Sequence, residues 1–578
     1  MARRAAAVLV ILTTVFAPAR RAIAQAATTP AGTPQAAGRD PLLGLWGGGE
    51  AILGPQVRGE ILVERSAHGW SMRVAGFESS GAMAGDSLVL ALSGGQGTLR
   101  AWLHGEMLEG YWIQSGGFDG PSYSTPVKFQ RARSGAWRGT VTPLDSRFPL
   151  YLSIARKSDG TLRGVFRNPE ANWPGRAGVM PIQRDADTIV LINPSTGKPQ
   201  YRQTYDSANG TIMFDFGAPL VLTRRRDADA IGYFPRSTAL SPYIYRAPLP
   251  RLDGWRTGTA QAMKMDAAAL QLIIRGLAQA DPIGDSLPRV HSLLVARHGV
   301  LVLDEYFYGY SEDRLHDLRS ASKTMTSIMA GAAMYHGATF SMSSPIDTAA
   351  ALKGITIGHL LTHSSGLACD DDNDDSPGNE DKMQSQTSTD WYRYTLALTR
   401  VHPPGTVYAY CSAGINLVGR TISAATQQWL PAFFDRAIAR PLQITHYAVN
   451  LMPSGEAYSA GGMRLRPRDF LKFGQLYVNG GIWNRTRIVS AAWVKESTAR
   501  QIERPDGSTD GFGWHRHLLR AGAREFQTYE ASGNGGQFVI VIPALDLVIA
   551  ATAGNYGQYF IWQKIRTQLV PAVMRAVH

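Results

Sequence analysis

Cysteine is scarce: the 578 residues hold two, Cys369 and Cys411. Neither stands directly after the N-terminal apolar segment, which argues against a lipoprotein anchor there. Long apolar runs are missing too; past that first segment nothing approaches the roughly 20 residues a spanning helix needs. Charged residues make up 18% against 44% apolar, a balance that excludes disorder and fits well-cored domains. The formal charge is +12, but Arg3, Arg4, Arg20 and Arg21 belong to the leader, and the longest basic runs elsewhere are Arg224-Arg225-Arg226 and the arginines of 464–468. That scatter speaks against nucleic-acid binding and for solubility or a loose association with an anionic cell envelope. No Gly-x-Ser-x-Gly segment occurs, which disfavours an α/β-hydrolase nucleophile elbow.

What is present divides along the chain. Residues 1–24 read as a signal peptide: Arg3 and Arg4, the apolar AAAVLVILTTVFA, then Ala22-Ile23-Ala24 as the cleavage site. A periplasmic or secreted location follows, with an uncleaved N-terminal anchor as the alternative. Residues 25–39, rich in Ala, Thr, Pro and Gly, read as a flexible tether. From 40 to 226 the sequence is built of short strand-like runs and repeats itself. GLWGG (44–48) recurs as GAWRG (135–139), DSLVLAL (86–92) as DTIVLIN (187–193), and KFQRAR closes the first copy as LTRRR closes the second, with an insertion expected near 168–176. Two β-rich repeats, 40–133 and 134–226, suggest a duplicated all-β region of two small barrels. A Pro- and Tyr-rich linker (227–262) leads to a domain over 263–578. Its order is a helix near Met265–Ala278, a hairpin about His298-Gly299, a long helical middle, two strands about the turn Pro543–Asp546 and a terminal helix. That order predicts an α+β fold, an antiparallel sheet flanked by helices.

The chemistry gathers in RSASKTMTSIMAG, 319–331. Ser320 and Lys323 stand three apart, so at a helix start they share one face and the amine meets the hydroxyl. Met325, Ile328, Met329 and Ala332 form an apolar stripe that buries the helix, and Gly337 is its expected stop. Burial is expected to disfavour the charged form of Lys323 and make it a proton acceptor. On spacing alone a chance Ser-x-x-Lys in an ordinary helix competes with this reading.

Further motifs fall in a recognisable order: LLTHSSGL (360–367), PGTVYAYCSAGINLVG (404–419), GGMRLRPRDFLKFGQLYVNGGIW (461–483) and SGNGGQFVIV (532–541). With RSASKTMTS they resemble the serine β-lactamase and penicillin-binding protein superfamily. Its class C-like branch of esterases, D-aminopeptidases and 6-aminohexanoate-dimer hydrolases is the most similar part, and the resemblance covers roughly 250–578. It implies a β-lactamase/transpeptidase-like catalytic domain in which Ser320 is the nucleophile and Lys323 its proton partner. Tyr410 would be the proton shuttle, its phenol acidified by the lysine, and the amides of Ser320 and Asn534 would form the oxyanion hole. Ser412, Ser532, Gly533 and Gly535 would line the substrate. No metal or cofactor is implied.

Two departures stand out. Tyr410-Cys411-Ser412 replaces the family's Tyr-x-Asn, and Ala531 stands where a Lys or His usually begins the third motif. Both losses argue against penicillin-like substrates and toward a neutral ester or amide, with Arg464 as a candidate replacement cation. The acidic run CDDDNDDSPGNED has calcium-loop spacing at Asp370, Asp372 and Asp374, but Asp375 occupies the glycine position, so a solvated loop on the cleft rim is expected. A Cys369–Cys411 disulfide would fasten that loop beside Tyr410, against two buried thiols as the alternative. His363 is expected to cap a helix end, and His515 and His517 show no acid partner in sequence. The reading is therefore an exported serine hydrolase acting on a small ester, amide or peptide through an acyl-enzyme. The alternatives are a D-amino-acid peptidase, carboxypeptidase or weak β-lactamase on cell-wall substrates, and an inactive ligand- or envelope-binding protein.

Overall fold

The structure is a computed structural model that describes residues 40–48, 56–116, 121–144, 149–168, 179–215, 219–236, 242–283, 287–346 and 352–578. The leader, the tether and most of the predicted insertion lie outside the described residues. The chain forms two compact units. One comprises Met1–Gly48, Tyr151–Arg167 and Trp173–Arg226; the other comprises Gly49–Leu150, Asn168–Asn172 and Asp227–His578.

The first unit is a closed eight-stranded barrel. Gly44–Gly48 pairs with Pro219–Arg225, with Trp46 opposite Arg224. Alternation turns Trp46, Leu152, Phe166, Leu191, Phe214 and Leu222 inward, all nearly or fully buried, and Phe166 meets Phe214 edge-on at 5.2 Å. Closure leaves no sheet edge for another chain to pair with.

The second copy's opening strand, Trp137–Val141, is absent from this barrel. It pairs instead with Gly59–Ser66 of the first copy, Trp137 opposite Val63. The two repeats thus exchange their first strands. Of the two small barrels expected, the first copy forms two sheets. A five-stranded sheet contains Gly59–Ser66 and Trp137–Val141, and an eight-stranded sheet carries the rest. A shared core of Trp70, Trp112, Trp137, Leu90 and Leu99 fills the space between them.

The eight-stranded sheet does not stop at the repeat. Its strand Tyr123–Lys128 pairs on one edge with Met107–Gln114 and on the other with Tyr447–Asn450, Val449 opposite Ser124. Beyond lie Met463–Leu465 and His316–Asp317. One antiparallel sheet therefore runs from the first repeat to the residues just before Ser320. Aromatic packing reinforces the junction: Trp429 stacks on Trp102 at 5.9 Å, takes Arg100 over its face at 4.8 Å, and Arg440 reaches Glu109 at 2.7 Å.

The C-terminal part of the chain is a nine-stranded sheet with helices on both faces. Its central strands Val290–Arg297, Gln537–Ile542 and Leu547–Ala553 are buried throughout. Val539, Val541, Val548 and Ala550 face the helices Ser322–Tyr335, Ser412–Thr426 and Pro467–Val478. Phe538, Ile540, Ile549 and Ala551 face Ala267–Ala278 and the C-terminal helices. This is the expected antiparallel sheet between helical layers. Asp266 caps the first helix by accepting the amides of Ala268 and Ala269. Among the described residues no helix is long and apolar enough to cross a membrane.

Candidate active site

Ser320 occupies a short 3₁₀ turn, Arg319–Ala321, that feeds the helix Ser322–Tyr335. The helix is buried almost all round, and Gly337 follows its end in a left-handed conformation at φ 94°. Lys323 projects from its first turn back onto Ser320. Its Nζ donates to Ser320 Oγ at 3.1 Å and to the Ala460 carbonyl at 2.9 Å, and lies 4.8 Å from the centre of the Tyr410 ring. The Tyr410 hydroxyl lies close enough to Ser320 and Lys323 for both to favour its ionised form. The three residues predicted to act together are thus in one cluster.

Electrostatics here run opposite to the expectation for both proton carriers. Burial does disfavour the ammonium of Lys323, but Tyr410, Glu380 and Asp371 outweigh it and raise its pKa. Burial raises the Tyr410 phenol, and the nearby lysine offsets only part of that rise. The resting site therefore holds an ammonium beside a neutral phenol.

Tyr410 is held from several sides. Its carbonyl accepts the Asp371 amide at 2.7 Å, and the Ser412 amide donates to Asp371 Oδ2 at 2.8 Å, so one residue brackets the segment. Cys369 and Cys411 form a disulfide with Cα atoms 5.4 Å apart, which ties the acidic loop to the tyrosine. Under the ring lies His363, centroids 4.5 Å apart, whose Nδ1 accepts the Cys411 amide. His363 does close a helix end: at φ 54° it follows Ile357–Leu361 in a Schellman turn, its amide donating to the Leu360 carbonyl at 3.1 Å and the Ser364 amide to His359 at 2.8 Å, and burial holds its ring neutral, its pKa down to about 3.

Ser412 is buried at the start of its helix, and its hydroxyl donates to Glu380 Oε2 at 3.3 Å. Glu380 also accepts from Tyr458 and Gln384. Burial and then Glu380 push Asp371 up to about 6. Among the described residues no Lys or Arg ion-pairs with Asp371 or Glu380. The loop thus contributes Asp371 to the site, whereas Asp370, Asp372 and Asp374, whose spacing drew notice, lie outside this cluster.

The strand Arg524–Gly533 forms the opposite wall. Gly533 packs on the nucleophile turn so closely that a Cβ would fall 2.2 Å from the Leu318 carbonyl and 3.2 Å from the Ser320 amide. Ala531 is fully buried, Ser532 is half-buried, and Asn534 is exposed with its Oδ1 accepting the Gly557 amide at 2.8 Å. Gly535 has φ 98° and lies against Tyr556. Arg464 does not supply a free cation. Its guanidinium is engaged by Asp317 at 3.2 Å and Asn450 at 3.3 Å. His515 and His517 prove to have acid partners, Asp510 at 3.0 Å and Glu530 at 3.5 Å, on the far strands of the same sheet.

Against known sequences, residues 284–558 match the family described as Beta-lactamase. This segment, a little under half of the chain, resembles that family. Penicillin-binding protein 4 of Amycolatopsis lactamdurans is 26% identical over 245 residues, 36% of this chain and 60% of that relative, so the chain spans less than two thirds of its length. The 6-aminohexanoate-dimer hydrolase of Paenarthrobacter ureafaciens is 22% identical over 360 residues, 54% of this chain and 91% of the relative. Among solved structures, a penicillin-binding protein homologue from Caulobacter crescentus is 14% identical, with 54% of this chain and 95% of that chain covered and a TM-score of 0.42. Four residues around Ser320, Lys323 and Tyr410 escaped the sequence reading: Arg319, Asp371, Glu380 and Tyr458. Only Arg319 had a signal, its place next to Ser320.

Proposed function

We propose that the protein is an exported serine hydrolase that cleaves an ester or amide through an acyl-enzyme on Ser320. The observation that carries the reading is the contact of Lys323 Nζ with Ser320 Oγ at 3.1 Å inside a buried, hydrogen-bonded cluster that includes Tyr410. Once the Lys323–Tyr410 pair has lost one proton it takes the hydroxyl proton as Oγ bonds to the acyl carbon. The amides of Ser320 and Asn534 receive the developing oxyanion. The pair then returns its proton to the departing alcohol or amine, and the ester to Ser320 forms as the old bond breaks. Water, deprotonated by the same pair, releases the acid and restores Ser320.

Ala531 in place of a cation and Ser412 in place of an asparagine support a substrate unlike penicillin. The name of the Amycolatopsis relative keeps a second reading in play, acylation by cell-wall analogues. Intact mass after incubation with a fluorophosphonate, and separately with a penicillin, tests both. One fluorophosphonate adduct, absent from Ser320→Ala, is expected. A penicillin adduct would favour the second reading, and no adduct from either reagent would leave a binding protein.

A further inference from the structure

Resting on the hydrolase reading just given, we propose that Arg319 is a specificity-determining residue that binds a carboxylate on the substrate. It supplies from the nucleophile turn the cation that Ala531 does not.

Arg319 directly precedes Ser320 and sits at φ 50°, a left-handed conformation that costs an L-residue free energy and persists only where its surroundings enforce it. Asp317 does the enforcing. Its Oδ1 accepts the Arg319 amide at 3.0 Å and its Oδ2 faces the Arg319 Nε at 3.2 Å. The same Oδ2 pairs with Arg464 at 3.2 Å, so one carboxylate serves two guanidinium groups and leaves an excess of positive charge. Burial opposes the charge of Asp317, yet the two arginines hold it below the usual carboxylate range.

The side chain lies over the Tyr556 ring at 4.9 Å, which fixes its plane, and it remains 46% exposed. Its Nε is occupied, but among the described residues no acceptor meets its Nη atoms. Glu380, which accepts from Ser412 and raises the pKa of Lys323, is near enough for its charge to act on Arg319, yet among the described residues no ion pair joins the two. The free edge of the guanidinium thus lies beside Tyr556, on the turn that carries the reacting hydroxyl and within range of the Glu380 charge. A planar pair of donors fits a carboxylate, and arginine offers no acceptor for an amine. Glu380 on the facing side disfavours a doubly charged phosphate. The expected substrate is an ester or amide with a single carboxylate near the scissile bond.

The test uses two matched pairs of esters on the full chain. 4-Butyryloxybenzoate against 4-butyryloxybenzamide places the charge on the leaving group; monoethyl adipate against ethyl adipamate places it on the acyl half. In one pair the wild-type kcat/KM should favour the carboxylate by about tenfold or more, the effect of a charge-assisted hydrogen bond. That ratio should collapse toward one in Arg319→Ala and be partly kept in Arg319→Lys. Because the ratio cancels any loss common to both esters, a misfolded fraction cannot imitate the result. A ratio near one in both pairs, or one unchanged in Arg319→Ala, would overturn the proposal. If no ester is turned over and no fluorophosphonate adduct forms, the hydrolase reading fails on its own. Calorimetric binding of 4-hydroxybenzoate and of adipate to Ser320→Ala, compared with Ser320→Ala/Arg319→Ala, then decides: about tenfold weakening of either ligand supports the arginine, and equal affinities refute it.

Discussion

Gly533→Ala is a small substitution whose effect on catalysis should exceed its effect on stability. The added methyl would lie 2.2 Å from the Leu318 carbonyl oxygen, 3.1 Å from the Ala321 amide and 3.2 Å from the Ser320 amide, and contacts under 3.0 Å essentially never occur for a Cβ. The nearest atoms are backbone on both sides, so no side chain can swing away. The carbonyl also closes the 3₁₀ turn by accepting the Ala321 amide at 3.1 Å, and the Leu318 amide is held by Met463 at 3.0 Å, so the turn cannot yield alone. Strand and turn must part by about 1 Å, a displacement between nucleophile and oxyanion donors of a size that can cost about 100-fold in rate. That is ~2.7 kcal/mol of transition-state stabilisation. Overpacking typically destabilises a fold by about 1–3 kcal/mol. The assay is kcat on a reactive ester beside thermal unfolding and the rate of fluorophosphonate labelling. Loss of kcat with a cooperative, modestly lowered Tm and slowed labelling is expected. A variant within threefold of wild-type kcat would refute the claim that this wall positions the nucleophile.

Other outcomes follow from the same geometry. Replacing both Cys369 and Cys411 by alanine releases a crosslink over 42 residues, worth up to ~4 kcal/mol on the chain-entropy account, so Tm should fall by several degrees, and kcat should fall with it because the loop brackets Tyr410; equal Tm with and without reductant in the wild type would contradict this. Because the pKa values of Lys323 and Tyr410 are both raised, the singly deprotonated pair is scarce at neutrality, and kcat/KM should climb with pH into the alkaline range; a plateau reached below pH 7 would count against it. Asp371 is raised in the folded state to about 6, so its protonated form favours the native state and that contribution is lost as pH rises from about 4 to 6. Asp371→Asn should flatten this part of the Tm–pH curve, and parallel curves for the two proteins would show that another group is responsible.

Some parts of the fold and site could be read from residues alone because local geometry dictates them. Ser320 and Lys323 meet whenever a helix begins there, and Tyr410 follows a Pro-Gly-Thr turn that aims it. The buried central strands announce themselves as FVIVI and LVIAA. Charge placement could not be read this way. Lys323 was expected to lose its proton readily because its neighbours in sequence are apolar, whereas Asp371 and Glu380, some fifty residues on, reverse the sign. The engagement of Arg464 with Asp317 and Asn450 depends on three strands meeting in one sheet. The junction of the first repeat with Tyr447–Asn450 was likewise hidden, since Tyr123–Lys128 reads as an ordinary edge strand and its partner lies more than 300 residues away. Nor can two similar copies declare, by sequence, which of them each opening strand will join.

That exchange of opening strands sets an order of events during folding. Trp46 emerges early, yet its partner Arg224 is among the last residues of the β region, so the barrel cannot close until nearly 180 further residues have been made. Until then Gly44–Gly48 has only its other neighbour, Leu150–Arg156, to pair with, while Trp137–Val141 reaches Gly59–Ser66 after a far shorter interval. The first copy therefore assembles ahead of the barrel. Any interruption of the chain between 141 and 219 strands one unpaired edge, a ready template for pairing with another molecule.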